Sequence, residues 1–311
     1  MRAPRPAELV LGSVQLGLPY GAANRTGQPS RAAALRLVHR AADAGITNFD
    51  TARAYGESED RLGEALGVHR AVHAITKLSP LRELAPDAPR AVVRRAVDAS
   101  IDQSLCALKR ARLDCLLLHR AEHMTAYKGA VWERLIERLE DGTVLALGVS
   151  VQTPEEALAA LARKDIQHLQ MPFNILDKRW QHAGVVERIK ARAHITIHVR
   201  SVFLQGVLAA DDVRVWPKIS GVDARALVKL IATLTEAFGR ENAADLCLAY
   251  ARGQSWVDGV IVGMETEEQL ETNLRLFVRP PLTPEECERV AARIPDLPAA
   301  LLDPAQWPKA S

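Results

Sequence analysis

The sequence predicts an α/β chain folded as a closed (β/α)8 TIM barrel with a C-terminal tail. Three observations carry this. Short apolar runs alternate with longer helical patterns through eight strand-then-helix units, the order that gives a parallel sheet covered by helices. The runs are nearly continuous in apolar residues, as strands buried on both faces are. The 311 residues suit one barrel of this kind, whereas an open doubly wound sheet usually uses fewer strands. No Gly-x-Gly-x-x-Gly string follows the first run, which removes support for a Rossmann-type sheet.

The first strand is expected at 9–12, followed by a loop through Gly17 and Gly21. Ser30 stands as N-cap to a helix reaching 44, and Gly45 stops it. A strand at 46–49 and a helix at 57–66 follow, then a strand at 72–76 and a long helix from 89 to 108. The fourth unit pairs a strand at 113–118 with a helix at 127–140. The fifth strand, 143–149, leads into Thr153-Pro154-Glu155-Glu156. That string supplies a cap, a first-turn proline and acids where the helix dipole favours them. Strand six is expected at 168–171, one helix at 180–192, and strand seven at 195–199. A long segment, 201–222, carries Gly, Pro and Trp. Helices at 223–238 and 241–252 precede strand eight at 260–262 and its helix at 266–277. Residues 283–311 are proline-rich, with one short helix, and are expected to wrap the barrel. No linker divides the chain, so 1–311 reads as a single domain.

Charge and cysteine usage exclude several classes. Forty basic residues balance 38 acidic ones, net +2, spread along the chain, which argues against a nucleic-acid or membrane-surface partner. Cys106, Cys115, Cys247 and Cys287 show no CxxC pairing and read as buried apolar residues in a reducing compartment, with no metal cage. The N-terminus lacks an apolar leader segment, and no apolar run reaches the roughly 18 residues of a membrane span. A cytoplasmic protein is expected.

The chemistry gathers at the strand ends, where barrels of this class build their active sites. Asp50, Lys77 and His119 end strands two, three and four, and Tyr55 follows in the next loop. Neighbouring strands lie about 4.8 Å apart, so inward side chains from three of them can meet. Taken singly, the Asp is a cap, the Tyr-Gly a turn, the Lys a solvated end and the His a core residue. In this order together they read as a proton-transfer site. A phenol with a pKa of about 10, set beside an ammonium that favours its phenolate, can hand over a proton as carbonyl reduction requires.

These motifs resemble those of the aldo-keto reductases, and the resemblance covers nearly the whole chain. It rests on Asp50 followed by Tyr55-Gly56, on Lys77, on His119, and on the Gly-x-x-x-x-x-Gly-Val-Ser string at 142–150. It rests also on Ile261-Val262-Gly263 followed by Gln269-Leu270-Glu271-Thr272-Asn273. The resemblance implies a metal-free NAD(P)H-dependent oxidoreductase that moves a hydride between nicotinamide C4 and an aldehyde or ketone, or runs the reverse alcohol oxidation. It makes Tyr55 the general acid/base, gives Asp50 and Lys77 the tuning of Tyr55, and has His119 orient the substrate oxygen. Ser13 is assigned to the cofactor site, with Ser150 and Gln170 on the carboxamide. Ser201, Phe203, Gln205 and Gly206 line the pyrophosphate groove, with backbone N–H donors. Gly263, Glu265, Thr266 and Gln269 surround the ribose or its 2′-phosphate, and Asn273 meets adenine.

Four positions depart from the family pattern. Val151 stands where Asn is common, and Thr272 where a Glu is usual. Arg200 replaces an aromatic residue that stacks on the nicotinamide, and its planar guanidinium is expected to do the same. Glu265 stands where basic or small hydroxyl residues are common. It weakens, without overturning, the family expectation of NADPH, and NADH is not excluded. Substrate selectivity is expected from the βα loops, with Tyr20, Trp180 and Trp216 as candidates and Leu18 and Pro19 beside them. Arg53 and Arg120 would attract an anionic or polyhydroxy substrate, or else pair with Glu57 and Glu122. A small-molecule carbonyl or alcohol is the expected partner; oligomeric state is open. The rival readings are an NAD-dependent sugar or alcohol dehydrogenase on the same barrel, a nucleotide-sensing subunit with little turnover, and an unrelated barrel isomerase or lyase.

Overall fold

The computed structural model describes residues 6–67 and 71–308. Eight parallel strands close into a barrel in chain order. They are β1 (Glu8–Gly12), β2 (Asn48–Asp50), β3 (His73–Lys77), β4 (Cys115–Leu118), β5 (Leu147–Ser150), β6 (His168–Pro172), β7 (Thr196–Arg200) and β8 (Gly259–Gly263). The barrel closes through β1 on β8, with Gly12 opposite Gly263. Around it stand α1 (Val14–Gly17), α2 (Arg31–Asp43), α3 (Ser58–Leu66), α4 (Arg90–Leu108), α5 (Ala130–Glu140), α6 (Pro154–Leu161), α7 (Arg179–His182) and α8 (Val185–Lys190). The last part of the chain adds α9 (Ala224–Ala237), α10 (Ala243–Arg252), α11 (Glu267–Phe277), α12 (Pro284–Arg293) and α13 (Ala299–Leu302).

Side chains alternate along a strand, and here the alternation separates two interiors. One parity, including Leu11, Phe49, Ala74, Leu116, Val149, Met171, Val199 and Val262, joins the large apolar core shared with the helices. The other parity points into the bore. Ile75, Cys115 and Leu117 pack there as a small separate cluster. The crowding shows at Gly148, where an added Cβ would lie 2.8 Å from the His168 Cβ, and at Gly259, where it would lie 2.7 Å from the His198 ring. Following the bore parity to the C-terminal strand ends reaches Asp50, Lys77, His119, Ser150, Gln170, Arg200 and Gly263. The polar residues singled out from the sequence therefore form the top layer of the bore.

The structure departs from the expected elements at places with local causes. The helix expected over 180–192 is two, α7 and α8, because Gly184 takes a left-handed φ of 73° between them. The one expected from 127 starts at Ala130, since Tyr127, Lys128 and Gly129 all have positive φ. Strands four and five begin later than expected; upstream they touch only through a single bridge, Leu113 to Val144. Residues 14–17 make one helical turn within the expected loop. The tail holds α12, α13 and a 3-10 turn at Pro304–Gln306 where one short helix was expected. Thr283 and Glu286 form a capping box on α12, and Cys287, Val290, Leu301 and Leu302 enter the core. No helix among the described residues is long and apolar enough to cross a membrane.

Helices α3 and α4 meet at Gly63. A Cβ there would run into the Ala107 carbonyl and stand 2.8 Å from the Leu108 Cα. Alanine normally stabilises a helix over glycine by roughly 1 kcal/mol. Gly63→Ala is expected to reverse that sign and destabilise by about 1–3 kcal/mol, as overpacking does. Chemical denaturation checks this; a midpoint equal to or above the parent's would refute the close approach.

Candidate active site

Lys77 is 1 % exposed. Its ammonium donates to both Asp50 carboxylate oxygens and to the Thr51 carbonyl, each at 2.8 Å. Gln170, fully buried on β6, donates to Asp50 Oδ1 at 2.6 Å, and Ser150 Oγ reaches Gln170 Oε1 at 3.4 Å. The Tyr55 ring centroid stands 5.0 Å from the Lys77 nitrogen, and the His119 ring meets Tyr55 edge-on at 5.7 Å. Four sequence-predicted residues thus converge, with Gln170 and Ser150 linked beneath them.

The backbone fixes Tyr55. Past the end of β2 the chain stays bonded to β3, through Thr51 N to Ile75 O at 2.8 Å and Arg53 N to Lys77 O at 3.2 Å. Tyr55-Gly56 then turns against α1. Gly17 and Gly56 pack so closely that a Cβ on Gly17 would stand 2.6 Å from the Ser58 nitrogen, and Gly56 has a φ of 55°. Ser13 contributes from below, donating to the Asp50 carbonyl at 2.7 Å and lying 2.6 Å from Ser58 Oγ.

Burial alone would lower the Lys77 pKa, but the contacting Asp50 carboxylate outweighs it and the pKa stands above its ordinary value. His119 goes the other way. Burial, then the positive charges of Lys77, Arg200, Arg82 and Arg120, hold it down to about 3, so the imidazole is neutral near pH 7. Its Nδ1 is buried with no hydrogen-bond partner among the described residues. Arg200 Nη2 donates to the Val151 carbonyl and to Gln152 Oε1, both at 3.0 Å and both neutral. Arg120 pairs with Glu122 at 2.8 Å; Arg53 pairs with Glu59, and Glu57 with Arg61.

Below this layer the bore holds Cys115, His168 and His198. Cys115 Sγ lies 3.4 Å from His168 Nδ1, and the two imidazoles meet edge-on at 4.4 Å. Burial depresses both: His168 lies well below its ordinary value, and His198 falls to about 4. No group of His, Cys, Asp and Glu among the described residues could hold a metal ion.

A cavity of about 970 Å³ opens above the bore. It is lined by Ser13, Tyr20, Asp50, Tyr55, His119, Ser150, Arg200, Ser201, Phe203, Gln205, Gly206, Gly263, Glu265, Gln269 and Asn273 among the expected residues. Lys77 and Gln170 lie under its floor. Thr266 caps α11, accepting from Gln269 N. Trp180 is fully buried with its indole N–H on Asp177 at 3.0 Å, and Trp216 is buried in the 201–222 segment; neither lines the cavity. Of the three expected substrate residues, only Tyr20 faces it.

The cavity suits a long polar ligand. Its volume sits at the upper end of small-molecule sites. The loop after β7 lines one side, where the adjacent residues Gln205 and Gly206 both have positive φ, a conformation suited to presenting backbone N–H groups to an anion. Gln15, a residue absent from the sequence reading, lines the opposite side against Gly263, and its buried Oε1 has no partner among the described residues. Its only sequence signal was the apolar Val14-Gln15-Leu16 turn after β1. These features fit a long ligand with several hydrogen-bonding groups, such as a dinucleotide.

The profile described as the aldo/keto reductase family matches residues 8–294. A 6-dehydroglucose reductase of Novosphingobium aromaticivorans is 33 % identical over 134 residues, 40 % of this chain and 44 % of that protein. An L-glyceraldehyde 3-phosphate reductase of Escherichia coli O157:H7 is 23 % identical over 93 % of this chain and 90 % of its own length. Among solved structures, an aldo-keto reductase of Bacillus halodurans in its holo form superposes with a TM-score of 0.75 at 21 % identity, covering 96 % of this chain and 98 % of that one.

Three histidines held neutral make the fold sensitive to acid. Each has a folded pKa depressed from 6.5, to about 3 for His119, to about 4 for His198 and well below 6.5 for His168. The unfolded chain therefore binds protons first as pH falls. Their contribution is complete above pH 6.5 and is lost progressively as pH drops through 6.5, toward about 4 for His198 and about 3 for His119. Thermal unfolding followed from about pH 7 to about pH 5 should show a falling midpoint; a flat one would contradict the neutral assignment.

Proposed function

This chain belongs to the aldo/keto reductase family, and we propose that it is an NAD(P)H-dependent oxidoreductase that reduces a small aldehyde or ketone, or runs the reverse oxidation. The observation that carries the proposal is the buried Asp50–Lys77 pair directly beneath Tyr55, with a neutral His119 across from it. The bound cofactor supplies a hydride to the carbonyl carbon. Everything else falls to the protein.

Tyr55 gives its phenolic proton to the carbonyl oxygen as negative charge builds there. The Lys77 ammonium stabilises the phenolate left behind, and Asp50 holds that ammonium charged and oriented. His119, being neutral, offers a single N–H to the same oxygen and so orients the carbonyl; it is not the proton source. Ser150 presents a hydroxyl to the nicotinamide carboxamide, while Gln170 acts through Ser150 and Asp50. Arg200, fixed by Val151 and Gln152, would stack on the nicotinamide. Ser201, Phe203, Gln205 and Gly206 would hold the pyrophosphate, and Gly263, Gln269 and Asn273 the adenosine. The two relatives are named for reducing a dehydroglucose and a glyceraldehyde phosphate. Those names, with Arg120 and Tyr20 at the mouth, favour a polyhydroxylated carbonyl as substrate.

Tyr55→Phe is expected to keep cofactor affinity and to lose about 10²–10⁴-fold in carbonyl reduction. Steady-state rates beside a fluorescence titration test this; undiminished turnover would remove Tyr55 as the acid. Arg200→Ala should weaken cofactor binding about tenfold, roughly the worth of one stacked cationic contact. An unchanged dissociation constant would show that Arg200 does not touch the ring.

A further inference from the structure

We infer that this chain selects NADH over NADPH and that Glu265 makes the selection. The inference rests on the oxidoreductase reading above and deepens it. On the reading above the adenosine half lies against Gly263, Gln269 and Asn273, and the cavity wall there, at the close of β8 and the start of α11, also holds Glu265 and Thr272.

Three features of this end disfavour a phosphate. Glu265 faces the cavity, and no hydrogen bond or ion pair reaches its carboxylate among the described residues. The neighbouring acids differ: Glu267 is paired with Arg36 at 3.2 Å and Glu271 with Arg40. The two guanidiniums that α2 brings against α11 are thus already opposed by carboxylates, and Glu265 is left unopposed.

The helix start is also closed. A bare helix N-terminus attracts phosphate through its free N–H groups. Here Gln269 Oε1 accepts from the Glu265 N–H at 2.7 Å, and Thr266 Oγ1 accepts from the Gln269 N–H at 3.2 Å. Glu267 and Glu268 occupy the first turn. Two donors at this start, the Glu265 and Gln269 N–H groups, are satisfied from within the segment, and the local charge is negative.

Cations do line the cavity, but elsewhere. Among the described residues they are Arg25, Arg120 and Arg200, from the loop after β1 and the ends of β4 and β7. None comes from β8 or α11. A 2′-phosphate, carrying about −1.5 to −2 charges near neutrality, would face an unpaired carboxylate. A ribose diol instead offers O–H donors, which a carboxylate accepts in strong charge-assisted bonds.

The test is a tryptophan-fluorescence titration of the full chain with NADH and with NADPH, on the parent, Glu265→Gln and Glu265→Lys. Thermal melts confirm that each variant is folded. The parent should bind NADH at least about tenfold more tightly. Glu265→Gln should weaken NADH and strengthen NADPH, so the ratio narrows. Glu265→Lys should reverse it. A parent that binds NADPH as tightly as NADH, or variants that leave the ratio unchanged, would overturn the inference while leaving the oxidoreductase reading intact. A folded parent that binds neither would overturn that reading itself.

Discussion

The contact between the Lys77 ammonium and the Asp50 carboxylate is the constraint on which the rest of the site depends. Two charges out of water are tolerated only if their partners are complete. Here the ammonium has three acceptors, and Asp50 takes a further bond from Gln170. Removing one member would leave an uncompensated buried charge, at a cost of roughly 3–5 kcal/mol. Replacing both with apolar residues of similar size is often neutral for stability, so stability does not account for the pair. What it gives is a fixed positive charge 5.0 Å from the Tyr55 ring. The bore beneath supports this by remaining uncharged, with His168 and His198 held neutral by burial.

A fixed floor needs a fixed rim. The loop after β7 crosses toward the loop after β1, where Gln205 accepts from Ala23 N at 3.2 Å. A Cβ on Gly206 would stand 2.7 Å from the Ala23 Cβ, so the two loops touch with no room between them. Ser201, Leu204 and Gln205 are left-handed there without being glycines, a conformation that costs of order 1 kcal/mol each and persists where the surroundings enforce it. Three of the non-glycine residues with left-handed backbone thus fall in this one segment at the cavity, the others standing at Leu81, Lys109, Tyr127 and Lys128.

Much of this was legible in the sequence, because strand ends in a parallel barrel are marked by where apolar runs stop. Asp50 and His119 stand at such stops and reach the cavity, and Tyr55 reaches it from the loop after β2. The same signal could not tell which strand-end side chains face ligand and which face each other. Lys77 ends its run in the same way and Gln170 falls within the expected sixth strand, yet both are engaged with Asp50 below the floor. Trp180 and Trp216 followed strand ends too, but large apolar rings gain more from the helix layer than from a polar mouth. Gln15 escaped notice because a one-turn helix has no period to read. Thr283-Pro284-Glu285-Glu286 repeats the cap string of Thr153-Pro154-Glu155-Glu156, and it caps α12 as that string caps α6.

The charges around the cavity are not uniform, and the asymmetry bears on the chemistry. At the Tyr55 end, Lys77, Arg200, Arg82 and Arg120 all act on His119. Arg200 bonds only neutral oxygens, so its charge is not cancelled locally. A positive field of this kind has two consequences at once. It keeps the imidazole from taking a proton, and it stabilises negative charge developing on a carbonyl oxygen at the same place. An imidazolium acid and a strongly stabilised oxyanion are therefore incompatible here, since the field that favours the second opposes the first. On the proposed reading the proton must come from a group that is neutral before transfer and anionic after it, because only such a group gains from the field. Tyr55, beside Lys77, meets that condition and His119 does not.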